Sequence, residues 1–414
     1  MSVSSPLVTT PRRAAFTFIF ITVLLDMLAL GIIIPVLPRL VVSFMGGDAA
    51  ASAEVLGLFG TAWALMQFLF APVLGALSDR VGRRPVILIS NVGLGLDYIL
   101  MAIAPSLSWL FVGRIISGVT AASVSTSFAY VADVTPADQR ATRFGLLGVA
   151  FGAGFVFGPA LGGLAGAVDP RLPFWIAAGL SLANALYGLL VLPESLPLAQ
   201  RMPFAWRRAN PLGSLKLLRS RGALMGLASV SFLGSLAHAV LPAMAVLYMS
   251  YRYAWDERMV GFVMAGVGAC AMVVQGALIG PAVRRFGEPR ALIVGLLFGA
   301  AGFAMYGVAT TGGLFLFGVP LMALWGIANP SALGMMSRMV GADEQGQLQG
   351  ANGSIMGIAN LIGPGLFTLS FSFAIRPELG LRLPGTPFLL AALLLLAATA
   401  IAWRTMRSPV TKAA

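Results

Sequence analysis

GALSDRVGRRP, residues 75–85, sits between two apolar runs, and 205 residues further on GPAVRRFGEPR, residues 280–290, sits between two others. At the same offset Pro136-Ala-Asp-Gln-Arg140 falls on Gly341-Ala-Asp-Glu-Gln345, Gly145 on Gly350, and Gly158-Pro159 on Gly363-Pro364. One short match carries little weight, but three at a constant offset, each in the equivalent loop or run, argue for an internal duplication.

The runs between these matches are apolar and long enough to cross a bilayer, which takes about 20 residues. They fall at 14–37, 55–77, 86–105, 108–131, 144–166 and 173–192, then at 223–248, 259–281, 290–309, 313–336, 348–371 and 385–403. Six spans per repeat give both copies the same orientation in the membrane. The expected fold class is therefore an all-α membrane protein of twelve transmembrane helices in two parallel six-helix repeats. The division is residues 1–193, a linker at 194–222, and 223–414.

Composition agrees. The chain is 58% hydrophobic and 10% charged over 414 residues, too little polar surface for a soluble fold, where roughly a quarter of residues are charged. Continuous runs such as 389–401 lack the alternation of a membrane β-barrel. The net charge of +12 reports topology. The termini and the loops that share their side carry 20 of the 27 basic residues and the opposite side six, with Arg114 inside a span. The positive-inside rule then places both termini in the cytoplasm and gives nucleic acid no role. No cleavable leader is expected, and Cys270, the single cysteine, reads as a packing residue. The linker has three prolines and six basic residues, and part of it, around 203–221, is a candidate amphipathic helix lying along the membrane.

Ionisable residues inside hydrocarbon are expensive and point to function. Asp26 and Asp97 are each 12 residues into their helices, roughly 18 Å at 1.5 Å per residue, and Arg114 enters the fourth helix from the other side. These three form the candidate proton-coupling and charge network. Asp26 reads as a proton or cation carboxylate, with a structural polar lock as the alternative, and Asp97 and Arg114 either neutralise each other or exchange partners. Gly75, Asp79, Arg80, Gly82, Arg83 and Arg84, with Asp133 and Arg143, form a candidate gating latch. The second copy has Arg284 where Asp79 stands, so its latch must differ in sign. Gly154, Gly158, Pro159, Gly162 and Gly163 suit close helix packing. The second half offers uncharged candidates for a substrate pocket, Gln275, His238 and Asn329, with Asn352 and Asn360 beside them. His238 either titrates from the cavity or bonds another helix. No nucleotide-binding loop, catalytic triad or metal-ligand cluster is present in the sequence, so an enzyme is not expected and there is no catalytic residue, no metal site and no cofactor to assign. A gradient must supply the energy.

The chain resembles the tetracycline-resistance and related drug:proton antiporter branch of the major facilitator superfamily, whose two halves are parallel six-helix repeats. Asp26, GALSDRVGRRP (75–85), GLGLDY (93–98), GRIISGVTAA (113–122), ADVTPADQRATRFG (132–145), GFVFGPALGG (154–163) and LPES (192–195) carry the resemblance. It implies proton influx driving export of a small-molecule drug across the lipid bilayer of a bacterial inner membrane, by a protein functional as a monomer. A tetracycline would arrive as a complex with a divalent metal. The family's first-half charges map onto Asp26, Asp79, Asp97, Arg114 and Asp133. The second half departs from the pattern: Ala271 stands where the tetracycline pumps have a histidine before the residue matching Gln275, and Gly299 or its neighbours stand where they have an acid. A metabolite uniporter or proton symporter is the alternative transport reading. A membrane receptor or structural partner is the alternative of another class.

Overall fold

The computed structural model describes residues 10–121, 123–136, 139–204, 213–220, 222–341 and 344–407. The first half holds α1 (Thr10–Ile33, continuing as Leu37–Phe44), α2 (Ala49–Val81), α3 (Arg83–Ile103), α4 (Leu107–Thr120 and Ser123–Val134), α5 (Arg140–Val168) and α6 (Leu172–Val191). The second holds α7 (Gly222–His238 and Val240–Tyr253), α8 and α9 within Glu257–Val308, α10 (Gly312–Leu324 and Ala328–Arg338), α11 (Gln345–Ile375) and α12 (Thr386–Arg407).

The described residues contain 11 continuous helical segments long and apolar enough to cross a membrane. One of them, Glu257–Val308, is 52 residues long and is interrupted at Gly287, where φ is 73°. At that break the segment divides into α8 (257–286) and α9 (288–308), making twelve spans. Gly82 separates α2 from α3 in the same way, at φ 110°. The two glycines are one repeat apart, and both hold a backbone conformation that glycine alone adopts without strain. The 75–85 and 280–290 matches thus build the same turn.

The repeat extends to interruptions that hydropathy does not register. α1 breaks at 34–36 and α7 at Ala239; the first part of α4 ends at Thr120, and α10 makes a tight turn at Trp325–Ile327. Each pair lies 205 residues apart. Helix starts carry their own signals. Asp48 accepts the backbone N–H of Ala50 and Ala51, and Asp256 that of Met259, satisfying donors that the first turn leaves free. Pro159 in α5 and Pro364 in α11 interrupt the backbone ladder at matched positions.

Small residues set the packing within each half. A Cβ on Gly158 would lie 2.7 Å from Gly31 Cα, so α1 and α5 touch backbone to backbone; Gly154 meets Met27 and Gly162 meets Ile32 on the same seam. In the second half Gly363 of α11 packs on Ala239 of α7, again one repeat on. α3 packs against α6 and α9 against α12 at the sides. Large apolar side chains such as Leu190, Phe317 and Val168 are exposed on the flanks, as a lipid-facing surface requires. In the linker, 205–212 lies outside the described residues, along with much of the candidate amphipathic helix. Residues 213–220 form a short 3-10 helix that rests on α7 and α11, with Leu217 and Leu218 buried.

Candidate functional site

A cavity of about 610 Å³ lies between the halves. From the first half it takes Ile33, Leu37, Phe59, Trp63, Tyr98 and Arg114; from the second, His238, Pro242, Trp325, Asn329, Met356 and Asn360. The breaks in α1, α7 and α10 all border it, and discontinuous helices are where transporters expose backbone to a cargo. His238 is exposed to the cavity and its ring lies 5.8 Å from that of Trp325. Asn329 and Asn360 also line it. Gln275 is exposed on a widened turn of α8, Val274–Leu278, and is not among the lining residues.

The acidic candidates lie behind the wall. Asp26 is 5% exposed, and its Oδ1 accepts a 2.8 Å hydrogen bond from Asn184 Nδ2 of α6, which also reaches the Thr22 carbonyl at 2.9 Å. Asp97 is fully buried and sits against Gly113 of α4, where a Cβ would come within 2.7 Å of its Oδ1. Neither of its oxygens has a hydrogen-bond partner by distance and angle, although Arg114 provides a coulombic counter-charge and Ser117 is close. Arg114 donates to Ser117 Oγ at 3.2 Å. Tyr98 lines the cavity and lies within electrostatic reach of Asp26, Asp97 and Arg114. The three ionisable candidates therefore converge on one aromatic side chain. Asn184 is the member that sequence reasoning missed; a lone amide in an apolar run gave no signal without its partner.

The face bearing the chain ends carries two latches. In the first half Arg83 binds Asp79 at 2.6 Å and Asp133 at 3.2 Å, and its guanidinium also donates to Ser78 Oγ at 2.6 Å. Glu194 accepts the Arg83 backbone N–H at 2.9 Å, and Ser195 donates to Asp133 at 3.0 Å. Glu194 and Ser195 come from the LPES segment, so their signal was in the motif. Arg84 caps the Leu189 carbonyl, and Arg143 stands over the Phe16 ring at 4.3 Å instead of joining the latch. Gly75 has open space around it, and Arg80 is exposed at the end of α2. In the second half Glu288 and Arg338 form a forked ion pair. Glu288 stands one repeat from Arg83 and Arg338 one repeat from Asp133, so the pair is the Arg83–Asp133 contact with its charges exchanged.

The two faces differ in how the halves meet. On the face away from the chain ends, Arg39 after the α1 break pairs with Glu257 at the start of α8, and Glu54 of α2 accepts from Ser372 and Arg376 at the end of α11. Gly163 of α5 packs against Gly261 of α8, with a built Cβ 3.1 Å from its Cα. Towards the chain ends the contacts run out along the same stripes. Gly152 of α5 still meets Met272 of α8, but Gly148, one turn on, meets nothing within 4 Å; Gly357 of α11 meets Phe68 of α2, but Gly353 meets nothing. Among the described residues no ion pair joins the halves on that face. The cavity is closed on one side and parted on the other.

The Major Facilitator Superfamily model matches residues 19–364 and 227–414. The chain is 39% identical to the class C tetracycline resistance protein of Escherichia coli over 351 residues, covering 85% of this chain and 88% of that one. It is 34% identical to the class B protein of Escherichia coli, over 85% and 87% of the two chains. Among solved structures it resembles the human organic anion transporter MFSD10 (TETRAN), at 25% identity and a TM-score of 0.70, covering 95% and 100% of the two chains. With the duplicated fold and the shared motifs, these matches make the chain a member of the Major Facilitator Superfamily, in its tetracycline-resistance-protein-like branch.

Proposed function

We propose that the chain exports a small organic drug from a bacterial cell across the inner membrane in exchange for protons, by alternating access of the central cavity. The observation that carries this reading is a cavity shut on one face by ion pairs between the halves and parted on the other, with Asp26 and Asp97 buried behind its wall. The excess of basic residues supports a cytoplasmic parted face and, with it, the reading of this state as inward-facing. Residues 1–193 and 223–414 act as the two rocking bodies and 194–222 as their tether. No bond is made or broken in the cargo.

In the cycle, Asp26 and Asp97 take up protons, and Arg114 responds through its charge on Asp97. Opening outward requires the Arg39–Glu257 and Glu54–Arg376 pairs to part while the Gly148 and Gly353 stripes close. Proton binding can drive this only if it favours one state over the other. Kinship with the class C and class B proteins supports tetracycline as a cargo to test first. In proteoliposomes an imposed proton gradient should drive tetracycline or another drug of a broad panel outward, and Asp26→Asn should uncouple that flux. Transport indifferent to collapse of the gradient would refute the coupling. Flux only in the uptake direction would make the protein a symporter.

A further inference from the structure

We propose that the cavity selects amphipathic organic anions, aryl carboxylates above all, with Arg114 receiving the carboxylate. This rests on the reading of the cavity as the cargo site. Among the described residues its lining contains no carboxylate, and Arg114 is the one permanently charged side chain there. The acids that would attract a cation are withdrawn: Asp97 is fully buried and Asp26 is 5% exposed, and neither lines the space.

Arg114 is also short of hydrogen-bond partners, its counter-charge being the buried Asp97. Its Nε is buried without a hydrogen bond, its NH2 reaches only the neutral Ser117, and neither Asp97 oxygen is hydrogen-bonded to it. A half-buried guanidinium that lacks a fork partner offers a two-pronged site for a carboxylate. Around it Trp63, Trp325, Phe59 and Met356 supply the apolar walls that an aromatic body needs. On the second-half wall, His238, Asn329 and Asn360 are neutral or weakly basic groups that suit polar substituents on the cargo. Among the described residues no three His, Cys, Asp or Glu side chains gather to hold a metal ion. Among the described lining residues a cationic metal chelate would find no carboxylate, whereas an anion would find Arg114.

The charge of the cargo has a consequence for energetics. One proton in for one monoanion out moves two charges across the membrane, whereas one proton for one monocation moves none. The test uses one ring system in three charge states: radiolabelled naphthalene-2-acetate, its primary amide, and 2-(2-naphthyl)ethylammonium. Binding to the purified full chain in nanodiscs should be at least tenfold tighter for the acid than for the other two. Arg114→Gln should bring the acid down to the level of the amide, whose unchanged affinity shows an intact cavity, and Arg114→Lys should keep most of the preference. In vesicles, export of the acid should accelerate under an inside-negative potential. Equal or tighter binding of the ammonium probe, no binding of any probe, or a preference that survives Arg114→Gln overturns the proposal. Proton-driven export of the ammonium probe alone overturns the anion class and leaves the exporter reading standing. Anion-selective binding with no proton-driven flux of any probe or of tetracycline sustains the class and overturns the exporter.

Discussion

Replacing Arg39 with Gln leaves the Glu257 carboxylate, 7% exposed, without its cation, while Arg39 itself is 50% exposed. Breaking a fully buried pair costs about 3–5 kcal/mol and losing an exposed one about 0.2–1 kcal/mol. With one partner in each regime, the state with this pair closed should lose about 2 kcal/mol, or roughly 30-fold in its population relative to a state in which the pair is already parted. The assay is a distance distribution between spin labels at Ser43 and Met259, which flank the pair on opposite halves and are exposed, in a Cys270→Ser background. Wild type should give mainly the short distance, and Arg39→Gln should transfer a substantial fraction to a longer one. An unchanged distribution, with the variant folded and transporting normally, would mean that the pair does not hold the outer face shut.

Gly353→Leu places a side chain where nothing lies within 4 Å, so stability should be unaffected, but closure of the parted face should be blocked. Counterflow should drop at least tenfold while ligand binding persists; normal counterflow would show that this stripe never closes. Asn184→Ala removes the donor shared by Asp26 and the Thr22 carbonyl and should destabilise the fold by about 1–3 kcal/mol, as read by denaturant titration in detergent. Gly82→Ala and Gly287→Ala both force an L-residue to positive φ, at about 1–2 kcal/mol, but a Cβ at 82 also runs into Glu194 and Arg201, with the Arg201 guanidinium 2.9 Å away, whereas at 287 the nearest atom is 3.8 Å off. The first should therefore reduce folded yield more than the second, and the reverse order would contradict the turn geometry.

The duplicated architecture was legible because its markers are backbone requirements. A glycine at positive φ and a Gly-Pro pair in a packed helix tolerate few substitutes, so they survive at the same offset in both copies. The charged core was legible for a different reason, since Asp26, Asp97 and Arg114 stand out in apolar runs. What lay hidden was pairing. Arg39 counts in the sequence only as a basic residue of the sparser side, and Glu257 carries no signal, because nothing local links residues 218 positions apart. Helix interruptions were hidden too: the spans are apolar on most faces, so hydropathy passes over a break at Ala239 or Trp325. Gln275 lies on a widened turn of α8 that the apolar sequence around it does not announce.

The exchanged charges of the two latches have a consequence for how the duplicated chain could diverge. Arg83–Asp133 and Glu288–Arg338 each sum to zero, so reversing a pair leaves untouched the count of cations that orients the helices during insertion. Sequence in these loops is thus free to drift along a neutral direction that a test for matching residues cannot see. Two copies that look unlike at the paired positions hold their helix ends by the same bond, read from opposite poles.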